Sequence, residues 1–139
     1  MIPKRIHHTG LVVRSLEETY ALFRDALGMR LLEEAHIEDQ GVRAALLDLG
    51  NSLVELLQPV DDETGIARYL ERHGEGLHHV CLEVDNIRAT LAGLKRKAVP
   101  LIDEEPREGL VGQIAFLHPT ALHGVLVELV DAATVRRFD

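Results

Sequence analysis

The chain has 139 residues, 46% of them hydrophobic and 27% charged, and carries a formal net charge of −8 at pH 7. A chain of this length forms one compact domain or two small halves that share a core. Its negative charge and its few aromatic residues, three phenylalanines and two tyrosines, argue against nucleic acid or an anionic membrane as a partner.

Cysteine content and hydropathy indicate the compartment. Cys81 is the single cysteine, so it forms no internal disulfide, and a reducing environment is expected. Residues 1–5 include no apolar run typical of a signal peptide. No stretch approaches the roughly 18 apolar residues that a membrane helix requires. We therefore expect a cytoplasmic protein.

The first half of the chain has the pattern of one βαβββ unit. Alternation over residues 5–13 predicts a strand with His8 on one face and His7 on the other. Ser15 is expected to cap an amphipathic helix whose apolar residues, including Leu27, recur at helical spacing until Gly28. Three strands separated by glycine-containing turns are predicted at 30–38, 42–49 and 52–58.

The second half repeats this order after a predicted linker helix over residues 60–74. Its elements are a strand at 77–84, a helix at about 86–97 capped by Asp85 or Asn86, and strands at 98–104, 113–118 and 124–130, with a loop at 105–112 and a turn at 119–124. We expect a single domain with module 1 at about 4–59, a linker helix at about 60–75 and module 2 at about 76–131.

A repeated histidine pair supports duplication of this unit. The stretch Gly76–Val84 nearly copies Ile6–Val13, and His79 follows His8 by 71 positions. A polar pair kept inside an apolar strand pattern in both copies suggests a shared purpose, because a buried imidazole needs a compensating partner. His8 and His79 are the inward members of each pair by strand alternation.

A glutamate in the last strand of each half completes the pattern. Glu55 and Glu128 each stand between apolar residues, in Leu-Val-Glu-Leu-Leu and Leu-Val-Glu-Leu-Val. An ionised carboxylate in such surroundings requires a neutralising cation, and two carboxylates with two neutral imidazoles balance a divalent ion. We therefore predict that His8, Glu55, His79 and Glu128 bind one divalent metal with positions left open for substrate oxygens.

The other histidines are expected to be structural. His7 and His78 point away from this site and are predicted to pack under the helices. Surface or structural roles are expected for the histidines without a repeat partner, which are His36, His73, His118 and His123.

The motifs around these residues resemble the vicinal oxygen chelate (glyoxalase/bleomycin resistance) superfamily. The histidine and glutamate strands mark the superfamily, whereas Glu104–Pro106, Phe116–Pro119 and Gly124–Leu129 resemble the methylmalonyl-CoA epimerase family, over nearly the whole chain. The resemblance implies an α+β fold in which two paired βαβββ modules form a curved, mostly antiparallel sheet around a central metal site. By motif, the family's ligands fall on the four residues that the duplication selects, His8, Glu55, His79 and Glu128.

The implied activity is epimerisation of methylmalonyl-CoA at C2, with a divalent ion (Co²⁺, Zn²⁺, Ni²⁺ or Mn²⁺) stabilising the enolate and no redox cofactor. Glu128 is the family's position for one proton-transfer group. Some epimerases carry a second glutamate where this chain has Ala44, so Glu55 or a bound water is left for the other face of the substrate. The resemblance also implies an acyl-CoA substrate and a homodimer.

Two other functions fit parts of the pattern. A lactoylglutathione lyase of the glyoxalase I type uses the same ligand set, and a metal-free ligand-binding module has the same fold. The loop 108–113 and the basic residues Lys95, Arg96, Lys97 and Arg107 are candidates for coenzyme A contacts, but their spacing assigns none.

Overall fold

The structure, a computed structural model, describes residues 2–138. It divides into two units. The first unit consists of residues 8–78, and the second consists of the residues before His8 together with those from His79 onward. No helix in the described part of the chain is long and apolar enough to cross a membrane.

The first unit has the predicted βαβββ order. Its elements are β1 (Arg5–Val12), α1 (Leu16–Tyr20), β2 (Leu31–Ile37), β3 (Val42–Asp48), β4 (Leu53–Pro59) and α2 (Gly65–His73). The strands lie in the order β2-β3-β4-β1. β1 and β4 run parallel, whereas the β2–β3 and β3–β4 pairs are antiparallel. β1 and β4 are therefore neighbours although two strands separate them in sequence.

The helix after β1 departs from the prediction of one regular helix. Ser15 caps it as expected, accepting a hydrogen bond of 3.1 Å from the Glu18 backbone N–H. After Tyr20 the chain continues as a π-helix over Ala21–Ala26, and the Leu27 N–H donates to the Leu22 carbonyl at 2.9 Å. The wider turn changes the helical period, and Leu27 is 62% exposed. The prediction that Leu27 continues the apolar face was therefore wrong.

The second unit repeats the order. Its elements are β5 (Gly76–Val84, shared with the end of the first unit), α3 (Ile87–Arg96), β6 (Arg107–Glu108), β7 (Gln113–Phe116) and β8 (Leu126–Asp131), with short 3₁₀ turns at Pro119–Leu122 and Ala132–Thr134. Asn86, rather than Asp85, caps α3 by accepting from the Ala89 N–H at 3.0 Å. The strands lie in the order β5-β8-β7-β6, and β5 runs parallel to β8.

Two predicted elements in this unit were wrong. Residues 98–104 are not a strand, because Ala98 adopts a positive φ of 60° after α3 and only Leu101 forms a bridge, to Leu117. The second strand of the unit is instead β6, which is two residues long and lies inside the predicted loop 105–112. The predicted turn 119–124 contains the 3₁₀ helix Pro119–Leu122.

In each unit, one helix covers one face of the strands. In the first unit, Leu16 and Tyr20 pack against a buried cluster that contains Ala45, Leu47 and Leu56. In the second unit, α3 packs in the same way, and the core is formed by Ile87, Leu91, Ala115, Val127 and Leu129. Because strand side chains alternate, the residues between these core positions point to the opposite face. That face carries the predicted site residues of each unit.

Candidate metal and proton-transfer site

The first unit brings His8 and Glu55 together. In the parallel β1–β4 ladder Gly10 is paired with Glu55, so His8 lies two residues away from Glu55 on the same face. The His8 Nε2 and Glu55 Oε1 atoms are 3.6 Å apart, and the two side chains are only 1% and 9% exposed. One nitrogen donor and one oxygen donor are thus held side by side in a buried position.

The second unit brings His79 and Glu128 together in the same way. In the parallel β5–β8 ladder Cys81 is paired with Glu128, and His79 lies two residues before Cys81. The His79 Nε2 and Glu128 Oε1 atoms are 3.3 Å apart, with side chains 3% and 6% exposed. The ladder position of each histidine relative to its glutamate is therefore identical in the two units.

Three of the remaining histidines, His73, His78 and His118, contact other residues of their own unit. His78 stands edge-on to Tyr69 of α2, with ring centroids 4.7 Å apart, so it packs against a helix as predicted. Tyr69 also contacts His73, at 4.4 Å. His118 Nδ1 accepts from the Thr120 N–H at 3.2 Å and caps the 3₁₀ turn that follows. His7 is buried.

Phe116 is a neighbour of the second pair that the sequence did not single out as a site residue. Its ring lies edge-on to the His79 imidazole, with centroids 6.2 Å apart and an interplanar angle of 83°. The Arg107 guanidinium lies over the same ring, 5.3 Å from its centroid, and Arg107 Nε is 3.3 Å from the Asp103 carboxylate. An edge-on aromatic contact at this separation is favourable and restricts the orientation of both rings.

Acidic residues on the helix-covered face of the first unit form a separate network. The Arg43 guanidinium donates to Glu34 at 2.7 Å, and the Tyr20 hydroxyl donates to the same carboxylate at 2.6 Å. Both bonds lower the pKa of Glu34, and the bond from Arg43 has the larger effect. Burial raises the pKa of Tyr20 above its ordinary value, and the hydrogen bond to Glu34 raises this pKa further. The hydrogen bond from Tyr20 to Glu34 connects α1 to β2.

Two of the basic candidates for coenzyme A contacts have partners in their own unit. Lys95 Nζ lies 2.7 Å from Glu104, which raises the pKa of the lysine. Arg107 is held by Asp103 and Phe116 as described above. Their surroundings are therefore those of residues that stabilise the second unit.

Comparison with known proteins identifies the family of this chain. Residues 7–116 match the glyoxalase/bleomycin resistance protein/dioxygenase superfamily, and the chain belongs to that superfamily, with its α+β fold of βαβββ modules. Human mitochondrial methylmalonyl-CoA epimerase is 38% identical over 130 residues, which cover 92% of this chain and 74% of the human protein. The chain is a member of the methylmalonyl-CoA epimerase family.

Solved structures of this family are similar over nearly the whole chain. A variant of Streptomyces coelicolor methylmalonyl-CoA epimerase in complex with 2-nitronate-propionyl-CoA is 33% identical, with a TM-score of 0.86, and the match covers 98% of this chain and 100% of that one. A methylmalonyl-CoA epimerase in complex with methylmalonyl-CoA and NH₄⁺ gives the same identity, coverage and TM-score.

Proposed function

We propose that this chain interconverts the R and S forms of methylmalonyl-CoA by removing and returning the proton at C2. The observation that carries the proposal is the equivalent placement of a buried histidine–glutamate pair in each of two βαβββ units. The relatives named above support the substrate, because one of their structures contains methylmalonyl-CoA itself.

We further propose that His8, Glu55, His79 and Glu128 hold one divalent metal ion. The donor set fits such an ion, since each pair offers an imidazole nitrogen beside a carboxylate oxygen in a buried place, and two carboxylates neutralise two positive charges. Co²⁺, Zn²⁺, Ni²⁺ and Mn²⁺ all accept this mixture of donors. When bound, the ion would act as a Lewis acid toward the thioester carbonyl.

Proton transfer is the part of the reaction that the chain itself supplies. Inversion at C2 requires a group that removes the proton from one side and a group that returns it on the other. Glu128 is the proposed group for one side, and its side chain is 6% exposed, so it is shielded from bulk water. The assignment of Glu55, or of a bound water, as the second group remains a prediction, as do the homodimer and the cytoplasmic location.

Solvent exchange at C2 tests the activity directly. The full chain is loaded with Co²⁺ or Zn²⁺, and (R)- or (S)-methylmalonyl-CoA is followed by NMR in deuterated water. We expect loss of the C2 proton signal together with conversion to a mixture of epimers. Absence of exchange from a chain that has bound about one equivalent of metal would overturn the proposal.

Two single variants connect the activity to the site. His79→Ala removes a proposed ligand, whereas His78→Ala removes the neighbouring histidine, which packs against Tyr69 on the other face. We expect only His79→Ala to lose metal and exchange. Equal losses in both variants would show that the effect comes from damage to β5 and would contradict the assigned ligand.

A further inference from the structure

Among the strands of the first unit, Glu33 lies in the same row as Glu55. In the β2–β3 ladder Glu33 is paired with Leu46, and in the β3–β4 ladder Leu46 is paired with Glu55. Directly paired residues of neighbouring strands point to the same face of a sheet. Glu33 and Glu55 therefore stand on the same face, one strand to either side of Leu46.

An irregularity in β2 is what turns Glu33 to this face. Leu31 is paired with Leu47 and packs against the core under α1, and Glu34 is paired with Ala45 and accepts from Tyr20 of α1. Regular alternation would not place both residues on the helix-covered face, because they are three positions apart. The register shift between Leu31 and Glu33 places one extra residue in β2, so that Leu31 and Glu34 both face the helix. Such bulges re-aim side chains and are frequent beside active sites.

Two strand spacings separate Glu33 from Glu55, and the buried Leu46 lies directly between them. Two strand spacings put the backbones of Glu33 and Glu55 about 10 Å apart. The diagonal neighbour of Glu33 on this face is Ala44, which carries only a methyl group. Beside Leu46, position 44 therefore adds no bulky side chain to this face.

We propose that Glu33 is the second proton-transfer group of the epimerase, so that Glu55 is needed only as a metal ligand. The assignment rests on the proposed function. In one direction the Glu33 carboxylate takes the C2 proton, and the electron pair of the C–H bond moves into the thioester carbonyl to give an enolate. Glu128 then delivers a proton to the opposite side of C2. In the reverse direction the two groups exchange these tasks, and each regains its original protonation state from solvent.

The neighbouring glutamate provides a matched control. Glu33→Gln removes the proposed acid, whereas Glu34→Gln removes the next carboxylate, which faces α1. Each epimer is incubated separately with the metal-loaded variant in deuterated water, and exchange and inversion are measured. In Glu33→Gln we expect inversion to fall by roughly 10²- to 10⁴-fold, the range that a general acid or base contributes. The epimer whose C2 proton faces Glu128 should still exchange at close to the wild-type rate.

Loss of exchange for only one epimer distinguishes the removal of a proton-transfer group from damage to the fold. Inversion at the wild-type rate in folded, metal-loaded Glu33→Gln would overturn the proposal, and so would an equal loss of exchange for both epimers. Metal content and KM should not change, and Glu34→Gln should behave as wild type. If the wild-type chain exchanges neither epimer, the proposed function itself fails, which this control distinguishes from failure of Glu33 alone.

Discussion

The Phe116 ring stands edge-on to the His79 imidazole, with 6.2 Å between the two centroids. Phe116 is also paired directly with Glu128 in the β7–β8 ladder. One half-buried aromatic side chain thus lies beside both proposed ligands of the second unit. It limits the orientations that the imidazole of His79 adopts beside Glu128.

Replacing this ring should weaken metal binding without unfolding the chain. Phe116→Leu keeps an apolar side chain but removes the edge-on contact with His79. Residues that orient a metal ligand typically contribute roughly 10- to 100-fold in affinity, so we expect the Co²⁺ dissociation constant to rise by about tenfold. Isothermal titration gives the constant. Arg24→Ala, which removes an exposed arginine over the Tyr20 ring, is the control. Wild-type affinity in Phe116→Leu would show that the ring does not orient His79.

A second prediction concerns the turn between β2 and β3. Gly41 has a φ of 66°, and a Cβ atom there would collide with the side chain of Thr64, which caps α2 by accepting from the Ala67 N–H. Gly41→Ala should lower the free energy of unfolding by at least about 1 kcal/mol, since it adds a steric conflict to the cost of a left-handed alanine. Gly50→Ala is the matched control, because Gly50 has a φ of 91° but nothing within 4 Å of the added Cβ. Urea unfolding measures both, and equal losses would exclude the Thr64 contact as a cause.

Alternation and repetition carried most of the sequence information about this site. They predicted the order βαβββ and which histidine of each pair stands next to a glutamate. Both are local properties, since a period of two residues decides the face of a side chain. Glu128 follows Glu55 by 73 positions, two more than the 71 between the histidines. This difference did not disturb the result, because each glutamate is aligned by its own β-ladder.

Two of the features that the sequence did not predict depend on pairing between strands. Glu33 and Glu34 are identical in type and adjacent in sequence, so alternation sends them to opposite faces. Only the register shift between Leu31 and Glu33 decides that Glu33, and not Glu34, shares a face with Glu55. The two-residue strand β6 similarly exists because Arg107 pairs with Ile114, although its own composition has no strand pattern. The π-helical turn before Leu27 could not be predicted from apolar spacing, which assumes a regular period.

The network of Glu34 gives a prediction for acid stability. Hydrogen bonds from Arg43 and Tyr20 lower the pKa of Glu34 below its ordinary value of 4.5. A carboxyl group with a lowered folded-state pKa stabilises the protein above its unfolded-state pKa, and this contribution is lost as the pH falls through the folded-state pKa. Glu34→Gln should therefore reduce the free energy of unfolding at pH 7 by no more than about 1 kcal/mol, since the pair is partly exposed.

The difference between wild type and Glu34→Gln should shrink as the pH is lowered below 4.5, the ordinary pKa of the group. Urea unfolding at pH 7 and at several values below this point measures the difference. Glu38→Gln, at an exposed glutamate in the turn after β2, is the control and should show no such dependence. A difference that stays constant down to the lowest pH would mean that the ionised form of Glu34 is not the source of the stabilisation.

The equivalent placement of Glu55 and Glu128 permits a comparison that separates metal binding from proton transfer. Each is paired with the residue two positions after the histidine of its unit. Both residues are proposed ligands, so Glu55→Gln and Glu128→Gln should each weaken metal affinity by at least about tenfold. Each variant removes one of the two negative charges that would neutralise the divalent ion. At saturating metal, only Glu128→Gln should also lose C2 exchange, by roughly 10²- to 10⁴-fold for the epimer that it serves. Metal titration together with exchange at saturation measures both quantities on the same samples. Wild-type exchange in both saturated variants would show that Glu128 is a ligand alone, and loss of exchange in Glu55→Gln alone would assign the proton transfer to Glu55 instead of Glu128.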